Sequence, residues 1–290
     1  MLFSNTVFLM KRLLLNNIPL WRGQRKLGVK YGSSLLNTIT HERIQGRIPI
    51  QANFFRSSVL NEFELVDNIH LFKKYVCPVI EEQYKKGDLV LNLGGDHAIS
   101  IATIPPMLNK YPNLRVIWVD AHADINSPEE SVSGNVHGMP VHFVSTLDSD
   151  KKANKLLLKN LVYVGVRDTD FAEQKLMDKY DIRNYTKKEI DKRGIHLVVN
   201  EMMIEKELLV NPIHLSLDID GLDPEFCPST GTKSEKGLSI NDVINLCRRL
   251  KQTGNLVSID LVEFNPFIGS QYEVEKTLHN IKQILDVLIE

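Results

Sequence analysis

The sequence predicts an α/β protein with a single three-layer αβα domain built around a mostly parallel sheet. Short, continuously apolar runs alternate with amphipathic stretches along its 290 residues. Runs that are apolar on both faces are typical of parallel strands covered by helices on each side. No linker rich in Pro, Gly or Ser interrupts this alternation. We therefore expect one domain over residues 1–290, with residues 1–10 as a candidate disordered extension.

The first predicted element is an edge or first strand at residues 12–18, which reads RLLLNNI and leads into a Gly-containing loop at 21–32. The same region allows a second interpretation, because basic residues occur near the start and the first acidic residue is Glu42. Such a composition resembles a mitochondrial presequence. We favour the strand, since cleavage would remove part of the fold, and we expect a cytoplasmic protein, with mitochondrial targeting as the alternative.

Helices and strands then follow one another along the chain. A helix is predicted over residues 67–85, where Ile69, Phe72, Val76 and Ile80 share one face. Five further strands are predicted at residues 88–93, 115–119, 161–166, 213–219 and 255–262. Ser239 and Asp242 have the spacing of a capping box, which begins a helix that extends through Leu250. The last helix carries an apolar stripe that we expect to pack on the core: Val274, Leu278, Ile281, Leu285 and Leu288.

Composition excludes several classes of protein. Lys and Arg number 35 against 36 Asp and Glu, so there is no excess of positive charge for binding nucleic acid by bulk electrostatics. Hydrophobic residues make up 43%, which is too many for a disordered chain, and no apolar run is long enough to span a membrane. Cys77, Cys227 and Cys247 are an odd number without CxxC spacing, which predicts buried free thiols in a reducing compartment.

Acidic and imidazole side chains collect where the predicted strands end, which is the edge at which parallel α/β sheets bind ligands. The residues concerned are His97, Asp120, His122, Asp124, Asp218, Asp220 and Glu263. Alternate residues of an extended segment point the same way, so Asp120, His122 and Asp124 can converge on one point. Asp218 and Asp220 can join them from another strand. Several carboxylates buried together are tolerable only with cations between them.

The composition of this group indicates which cations it would bind. Four Asp carry a charge of about −4, which two divalent ions would balance. An oxygen-rich set with two His favours Mn²⁺, with Fe²⁺, Co²⁺ or Ni²⁺ as substitutes, and it lacks the thiolates of a zinc knuckle. Two such ions can hold a hydroxide between them, so the residues predict a metal-assisted hydrolase without choosing its substrate. The remaining histidines are expected to be structural or solvated: His41, His70, His142, His196, His214 and His279.

Four strings in order, GGDH, VDAHADIN, SGNVHGMP and LSLDIDGLDP, together with Glu263, resemble the ureohydrolase family and, within it, the arginases. The resemblance extends over nearly the whole chain. It implies the arginase-like αβα fold, two Mn²⁺ per subunit, and hydrolysis of L-arginine to L-ornithine and urea by a hydroxide that bridges the ions. It implies the metal ligands His97, Asp120, His122, Asp124, Asp218 and Asp220, with Asp124 and Asp218 among the bridging groups.

The resemblance also implies catalytic roles. His137 matches the residue that protonates the leaving amine, by way of Asp124, and its ordinary pKa near neutrality suits that role. Glu263 matches the residue that stabilises the tetrahedral intermediate. Thr232 and Glu263 match residues on the guanidinium side, where a carboxylate can bind a planar cation through two hydrogen bonds.

Further residues match those that bind the amino-acid end of the substrate. Asn126 and Ser133, with Asn135 beside them, match the contacts to the α-carboxylate, which neutral donors can hold without adding charge near the ions. A polar turn is the alternative interpretation of this segment. Asp170, with Glu173 as its helper, resembles the acid that recognises the α-amino group, and a simple helix N-terminal Asp is the alternative.

The resemblance weakens after Thr232. Arginases usually continue there with Pro, a Gly pair and an Arg-Glu pair, whereas residues 233–242 of this chain read KSEKGLSIND. The Arg-Glu pair typically contributes to subunit contacts, and Asn241-Asp242 stands in its place. We therefore expect a homo-oligomer, a trimer or a hexamer, whose usual interface residues are altered, and we expect reduced activity if the loop geometry has changed.

Two alternatives to an arginase stay open. Glu129 and Glu130 add negative charge beside the carboxylate-binding loop. If they face inward they favour a guanidine such as agmatine, and the protein is then an agmatinase or guanidinobutyrase. Alternatively, the changes in residues 233–242 leave a metal-binding protein with weakened catalysis. In each case we expect a small-molecule partner, L-arginine in the first instance, and neither nucleic acid nor membrane.

Overall fold

A computed structural model describes residues 12–44, 50–54, 69–84, 88–148 and 154–289. These residues form eight strands: β1 Leu13–Ile18, β2 Ile50–Phe54, β3 Leu89–Gly94, β4 Arg115–Val119, β5 Leu161–Val164, β6 Asn184–Tyr185, β7 Ile213–Asp218 and β8 Leu256–Val262. All eight belong to one sheet, in the order β2-β1-β3-β8-β7-β4-β5-β6. Each neighbouring pair is parallel, which confirms the predicted α/β sheet.

Helices cover both faces of this sheet. Their bounds are α1 Val29–Ile44, α2 Ile69–Gln83, α3 Ser100–Lys110, α4 Pro140–Val144, α5 Phe171–Lys179, α6 Lys187–Arg193, α7 Ile195–Glu205, α8 Ile240–Gln252 and α9 Gln271–Ile289. Residues from α1, α7, α8 and α9 pack in one apolar cluster, and residues from α2, α3, α4 and α5 pack in another. Leu13 and Leu14, neighbours on β1, belong to opposite clusters. The three predicted layers are therefore present, and the mainly apolar strands are covered on both faces.

The N-terminal region departs from the prediction in two details. Strand β1 confirms the predicted strand, but it lies between β2 and β3 and not at an edge of the sheet. The loop after it ends at Gly28, because α1 begins at Val29, so Gly32 lies within the helix. A Cβ on Gly32 would come within 1.9 Å of the carbonyl oxygen of Phe264, so this glycine permits close packing of α1. Residues 1–11 of the presequence-like stretch 1–17, which include the candidate extension 1–10, lie outside the described residues.

Strand order determines where the motifs meet. The strands that precede them, β3, β8, β7 and β4, are consecutive neighbours in the middle of the sheet. Because all run parallel, their carboxyl ends form one edge, and the predicted polar residues follow directly from it.

The predicted helices and their caps are found close to their expected bounds. Ser239 and Asp242 form both hydrogen bonds of the predicted capping box at the start of α8. On α9, Ile281, Leu285 and Leu288 are buried, while Val274 and Leu278 pack against the same cluster. Among the described residues, none of the helices combines the length and the apolar character that crossing a membrane requires.

Candidate metal centre

The imidazole of His97 is the centre of a buried group of three carboxylates. His97 begins a short 3₁₀ turn after β3, and the carboxylate of Asp96 caps that turn by accepting from the Ala98 amide. The Nδ1 atom of His97 lies 3.0 Å from Asp120 Oδ2 and 3.2 Å from an oxygen of each of Asp124 and Asp218. All four side chains are nearly inaccessible to water. The other nitrogen, Nε2, lies 2.7 Å from Ser216 Oγ, which fixes the orientation of the ring.

A second group forms around His122 and shares one carboxylate with the first. His122 Nδ1 lies 3.2 Å from Asp220 Oδ2 and 3.4 Å from Asp120 Oδ1. Asp120 therefore directs one oxygen toward each histidine. Asp124, which the resemblance implies as a bridging group, lies 3.2 Å from His97 Nδ1. The His122 side chain remains 25% exposed, so this group is open to solvent.

Three observations indicate that the two groups can hold divalent cations. The ligand atoms of His97, Asp120 and Asp124 lie within 4.8 Å of one another, as do those of Asp120, His122 and Asp220. His97 Nδ1 is buried and makes no hydrogen bond of adequate geometry, although three carboxylate oxygens surround it. When Nδ1 is unprotonated, as a metal ligand must be, its lone pair faces three carboxylates, and this arrangement is repulsive unless a cation lies between them. The donor set of imidazole nitrogen and carboxylate oxygen fits Mn²⁺.

The pKa values of the carboxylates show the same excess of negative charge. Burial, followed by the charge of Asp120, raises the pKa of Asp124 to about 6. Burial and the carboxylates of Asp220 and Asp120 raise the pKa of Asp218 well above its usual range. Asp120 is the exception, since its contacts with His122 and His97 outweigh burial and lower its pKa. In the absence of a metal, protons would have to supply the positive charge that the site requires.

Glu263 lies beside the His97 group and is held on several sides. Its Oε1 accepts from the His97 main-chain N–H at 3.0 Å and lies 3.1 Å from His137 Nδ1. Its Oε2 accepts from Gln24 Nε2 at 2.5 Å. Burial alone would lower the pKa of His137, but the Glu263 carboxylate raises it to about 9. His137 is therefore mainly protonated at neutral pH in the described structure.

Two residues of this site have a strained backbone. Glu263 has a φ of 68° and Asp124 a φ of 50°, both in the left-handed region that non-glycine residues rarely occupy. The hydrogen bonds just described hold Glu263 in this conformation. Such strain persists only where the surroundings enforce it, which is common at functional sites. Gln24 was missed at the sequence level, because nothing in its loop indicates that it reaches a residue 239 positions away.

A cleft of about 160 Å³ opens above the two groups. Its lining includes the predicted residues His122, Asp124, Asn126, Ser133, His137, Glu173, Asp218, Asp220 and Thr232. Asn135, Asp170 and Glu263 do not line it. Thr232 donates from Oγ1 to Asp220 Oδ2 at 2.8 Å, which connects the cleft wall to the His122 group.

The residues predicted to bind the amino-acid end of the substrate also have structural roles. Asp170 caps α5, where it forms a capping box with Glu173, which confirms the helix N-terminal interpretation of this residue. Its second oxygen, Oδ2, accepts from Asn126 Nδ2 at 2.7 Å. Asn126 Oδ1 is left buried without a hydrogen bond. Ser133 Oγ accepts from the Asn135 main-chain N–H at 3.2 Å, which shapes an exposed turn.

The features that favoured the alternatives have ordinary structural explanations. Glu129 and Glu130 are exposed and do not line the cleft, and Glu130 lies in a turn with Ser127. Asp242 caps α8 within its own chain. His214 is buried and lies 2.7 Å from Ser258 Oγ, as expected for a structural histidine. The His70 side chain lies outside the described residues.

Comparisons with known proteins agree with this geometry. The family model described as "Arginase family" matches residues 21–288. An arginase of Neurospora crassa is 41% identical over 215 residues, which cover 69% of this chain and 60% of the relative's own length. The mitochondrial arginase-2 of Mus musculus is 33% identical over 280 residues, which cover 89% of this chain and 78% of that protein. The chain thus spans less than two thirds of the fungal relative.

A solved structure extends the similarity to the whole fold. The arginase of Entamoeba histolytica, crystallised in complex with L-ornithine, superimposes with a TM-score of 0.83 at 27% identity. The superposition covers 95% of this chain and 98% of the Entamoeba chain.

Proposed function

The chain belongs to the arginase family, and from that premise we propose that it hydrolyses the guanidinium group of L-arginine to L-ornithine and urea. One observation carries the proposal: two histidine–carboxylate groups share Asp120 beneath a cleft that Asn126 and Ser133 also line. The two histidine–carboxylate groups would hold two cations. The polar cleft residues would bind the charged end of an amino acid. Neither half alone would distinguish an arginase from another hydrolase.

The cofactor in this proposal is a pair of Mn²⁺ ions. His97 and Asp124 would hold one ion, His122 and Asp220 would hold the other, and Asp120 would be shared. We also propose Asp218 as a ligand, since one of its oxygens lies beside His97 Nδ1. When bound, such a pair supplies a hydroxide at neutral pH and polarises the bond to be cleaved.

The proton and the guanidinium are handled by residues of the chain itself. His137 carries a proton at neutral pH because Glu263 raises its pKa to about 9, so it can protonate the departing amine of ornithine. Asp124 lines the same cleft and would relay the proton to His137. The Glu263 carboxylate contacts His137 of the cleft wall at 3.1 Å and would stabilise the positively charged guanidinium from there, and Thr232 would contact the guanidinium from the wall.

The opposite end of the cleft would select the amino acid. Asn126, Ser133 and Asn135 would hold the α-carboxylate as neutral donors. Asp170 would bind the α-amino group with its carboxylate, and Glu173 would support it from the same helix turn. Asn126 donates to Asp170, so the two recognition groups are held in a fixed relation to each other.

Urea release is the direct test of this function. The protein loaded with Mn²⁺ is incubated in turn with L-arginine, agmatine and 4-guanidinobutyrate. We expect arginine to be hydrolysed with the highest kcat/KM, because only arginine carries both an α-amino and an α-carboxylate group. His137→Asn should lower kcat while leaving Mn²⁺ binding intact. Preference for agmatine or 4-guanidinobutyrate would assign the chain to another ureohydrolase, and absence of urea from all three would refute a hydrolytic role.

The proposal also includes expectations about domain organisation, cellular location and oligomeric state. One domain over residues 1–290 is supported by a single sheet that contains strands from both ends of the described chain. A cytoplasmic location is supported by three cysteines without a disulfide, and a fluorescent fusion would distinguish it from mitochondria. A homo-oligomer, trimer or hexamer, is supported by the family resemblance, and light scattering measures its mass.

A further inference from the structure

Arg167 is held in an unusual environment next to the His122 group. It follows β5, and its guanidinium donates to main-chain oxygens of three separate segments at 2.7–3.4 Å. These oxygens belong to Gly165, Asp220, Gly221, Leu222, Ser234 and Glu235. All of these acceptors are carbonyl groups. Every hydrogen bond of this guanidinium thus goes to the main chain, so it organises the backbone, while its charge also lies near the carboxylates of Asp220 and Asp120.

The main chain of the same residue adds a further connection. The amides of Arg167 and Asp168 both donate to the carbonyl of Ala121, at 2.9 and 3.0 Å. Ala121 lies between the ligand candidates Asp120 and His122. Arg167 therefore contacts the His122 segment through its backbone and the Asp220 turn through its side chain.

The third segment held by Arg167 forms part of the stretch that departs from the family. Lys233, Glu235 and Lys236 are exposed, so their side chains do not fix the path of the loop. Arg167 holds the loop instead by the carbonyls of Ser234 and Glu235. Gly237 allows this approach, because a Cβ there would lie 2.7 Å from Arg167 Nη2 and 2.4 Å from the Asp223 amide nitrogen.

We propose that Arg167 is the positioning residue for the His122 side of the centre. By holding the carbonyls of the Asp220 turn and of residues 234–235, it fixes Asp220 and the neighbouring Thr232, which donates to the Asp220 carboxylate. Since only main-chain atoms are held, residues 233–236 can change without loss of the cleft wall. The inference rests on the proposed metal-dependent function and deepens it.

The test compares Arg167→Lys with a matched control at the opposite end of the sheet. Arg115 also donates to two carbonyls, those of Lys206 and Asn113, but it lies at the start of β4, away from the centre. Lysine keeps the charge but cannot hold several carbonyls in a fixed plane. Mn²⁺ binding to wild type, Arg167→Lys and Arg115→Lys is measured by titration, with the stoichiometry and affinity of each step.

We expect wild type to bind two Mn²⁺, and Arg167→Lys to lose about 10- to 100-fold in affinity for one of them, as outer partners of metal ligands commonly do. The other step and both steps of Arg115→Lys should stay within about twofold of wild type. Gly237→Ala, whose Cβ would press on the backbone of residues 222–223 and on the guanidinium, should also weaken that step, while Glu235→Ala should not. Equal weakening of both steps, or none, overturns the role assigned to Arg167.

The titration is independent of turnover. If wild type binds two Mn²⁺ but releases no urea from arginine, the proposed function fails while the role of Arg167 is still decided by the binding curves. Thermal unfolding of each variant separates a local effect from general destabilisation. An Arg167→Lys protein that has the melting temperature of wild type but a weakened affinity for one Mn²⁺ supports a positioning role. A loss of Mn²⁺ affinity that parallels the loss of melting temperature across all four variants contradicts it.

Discussion

The two edges of the sheet carry charge in different ways. At the amino-terminal edge two acids have arginine partners: Arg12 makes two hydrogen bonds to the Asp88 carboxylate, at 2.5 and 3.1 Å, and Arg115 lies 2.5 Å from Glu207. At the carboxyl-terminal edge four aspartates surround His97 and His122, and no lysine or arginine side chain is paired with any of them in the described part of the chain.

This difference distinguishes carboxylates that stabilise the fold through ion pairs from carboxylates that require a bound cation. A carboxylate bound to arginine is already neutralised, so its edge needs nothing more. Carboxylates gathered without a cation raise one another's pKa and destabilise the fold that holds them. A protein keeps such an arrangement only where a bound cation compensates for it, and the carboxyl-terminal edge is also where parallel sheets bind their substrates.

The largest expected effect follows from removing the shared ligand. Asp120→Asn should reduce urea release by at least about 100-fold, because a lost ligand costs more than a lost outer partner, which already costs about 10- to 100-fold. Glu207→Gln removes a carboxylate from the other edge and should leave kcat/KM unchanged. Both are measured with saturating Mn²⁺. Equal losses in the two variants would show that the edges do not differ in function.

How far the sequence predicts this contrast depends on the kind of contact. Asp120, His122 and Asp124 could be placed together because alternate residues of one extended segment share a direction. Gln24 and Arg167 could not, since one reaches a residue 239 positions away and the other binds main-chain carbonyls, which every sequence offers. Strands β2 and β6 were not predicted from the sequence. For β6 the reason is its length, because two residues are too few to show a period and the strand forms only by pairing with β5.

The second prediction concerns the pH dependence of the metal-free protein. Burial, with neighbouring charges, raises the pKa of Asp124 to about 6 and of Asp96 and Glu173 to about 7, and Glu263 raises that of His137 to about 9. The folded state therefore binds more protons than the unfolded state between about pH 4 and pH 9. The stability from these groups is present below their unfolded pKa values and is lost as pH rises through the folded ones.

Chelated protein should accordingly unfold at lower denaturant concentration at about pH 8 than at about pH 5. Asp120 and Glu263, whose pKa values are lowered, act in the opposite direction but only at more acidic pH. Added Mn²⁺ should remove part of this loss at about pH 8, since it replaces the proton on its ligand Asp124. A metal-free protein equally stable at both pH values would mean that the carboxyl-terminal edge is already compensated.

The third prediction concerns substrate selection at the same edge. Asp170→Ser keeps a side chain that can cap α5 but removes the carboxylate proposed to bind the α-amino group. We expect kcat/KM for arginine to fall by about 10- to 100-fold, the usual value of a charged hydrogen bond. Hydrolysis of 4-guanidinobutyrate, which has no α-amino group, should change little. A parallel loss for both compounds would assign Asp170 a purely structural role.

The smallest effect is expected at the amino-terminal edge, where the Arg12–Asp88 pair can be measured by a double-mutant cycle. Arg12→Met, Asp88→Asn and the double variant are unfolded in denaturant, with and without Mn²⁺. Because the pair is partly buried and bound through two hydrogen bonds, its coupling energy should be about 1 kcal/mol. The coupling should not depend on Mn²⁺, and urea release should match wild type in all three variants. A coupling that changed with Mn²⁺ would mean that the two edges communicate through the strands between them, and the division between a compensated and a ligand-binding edge would then no longer hold.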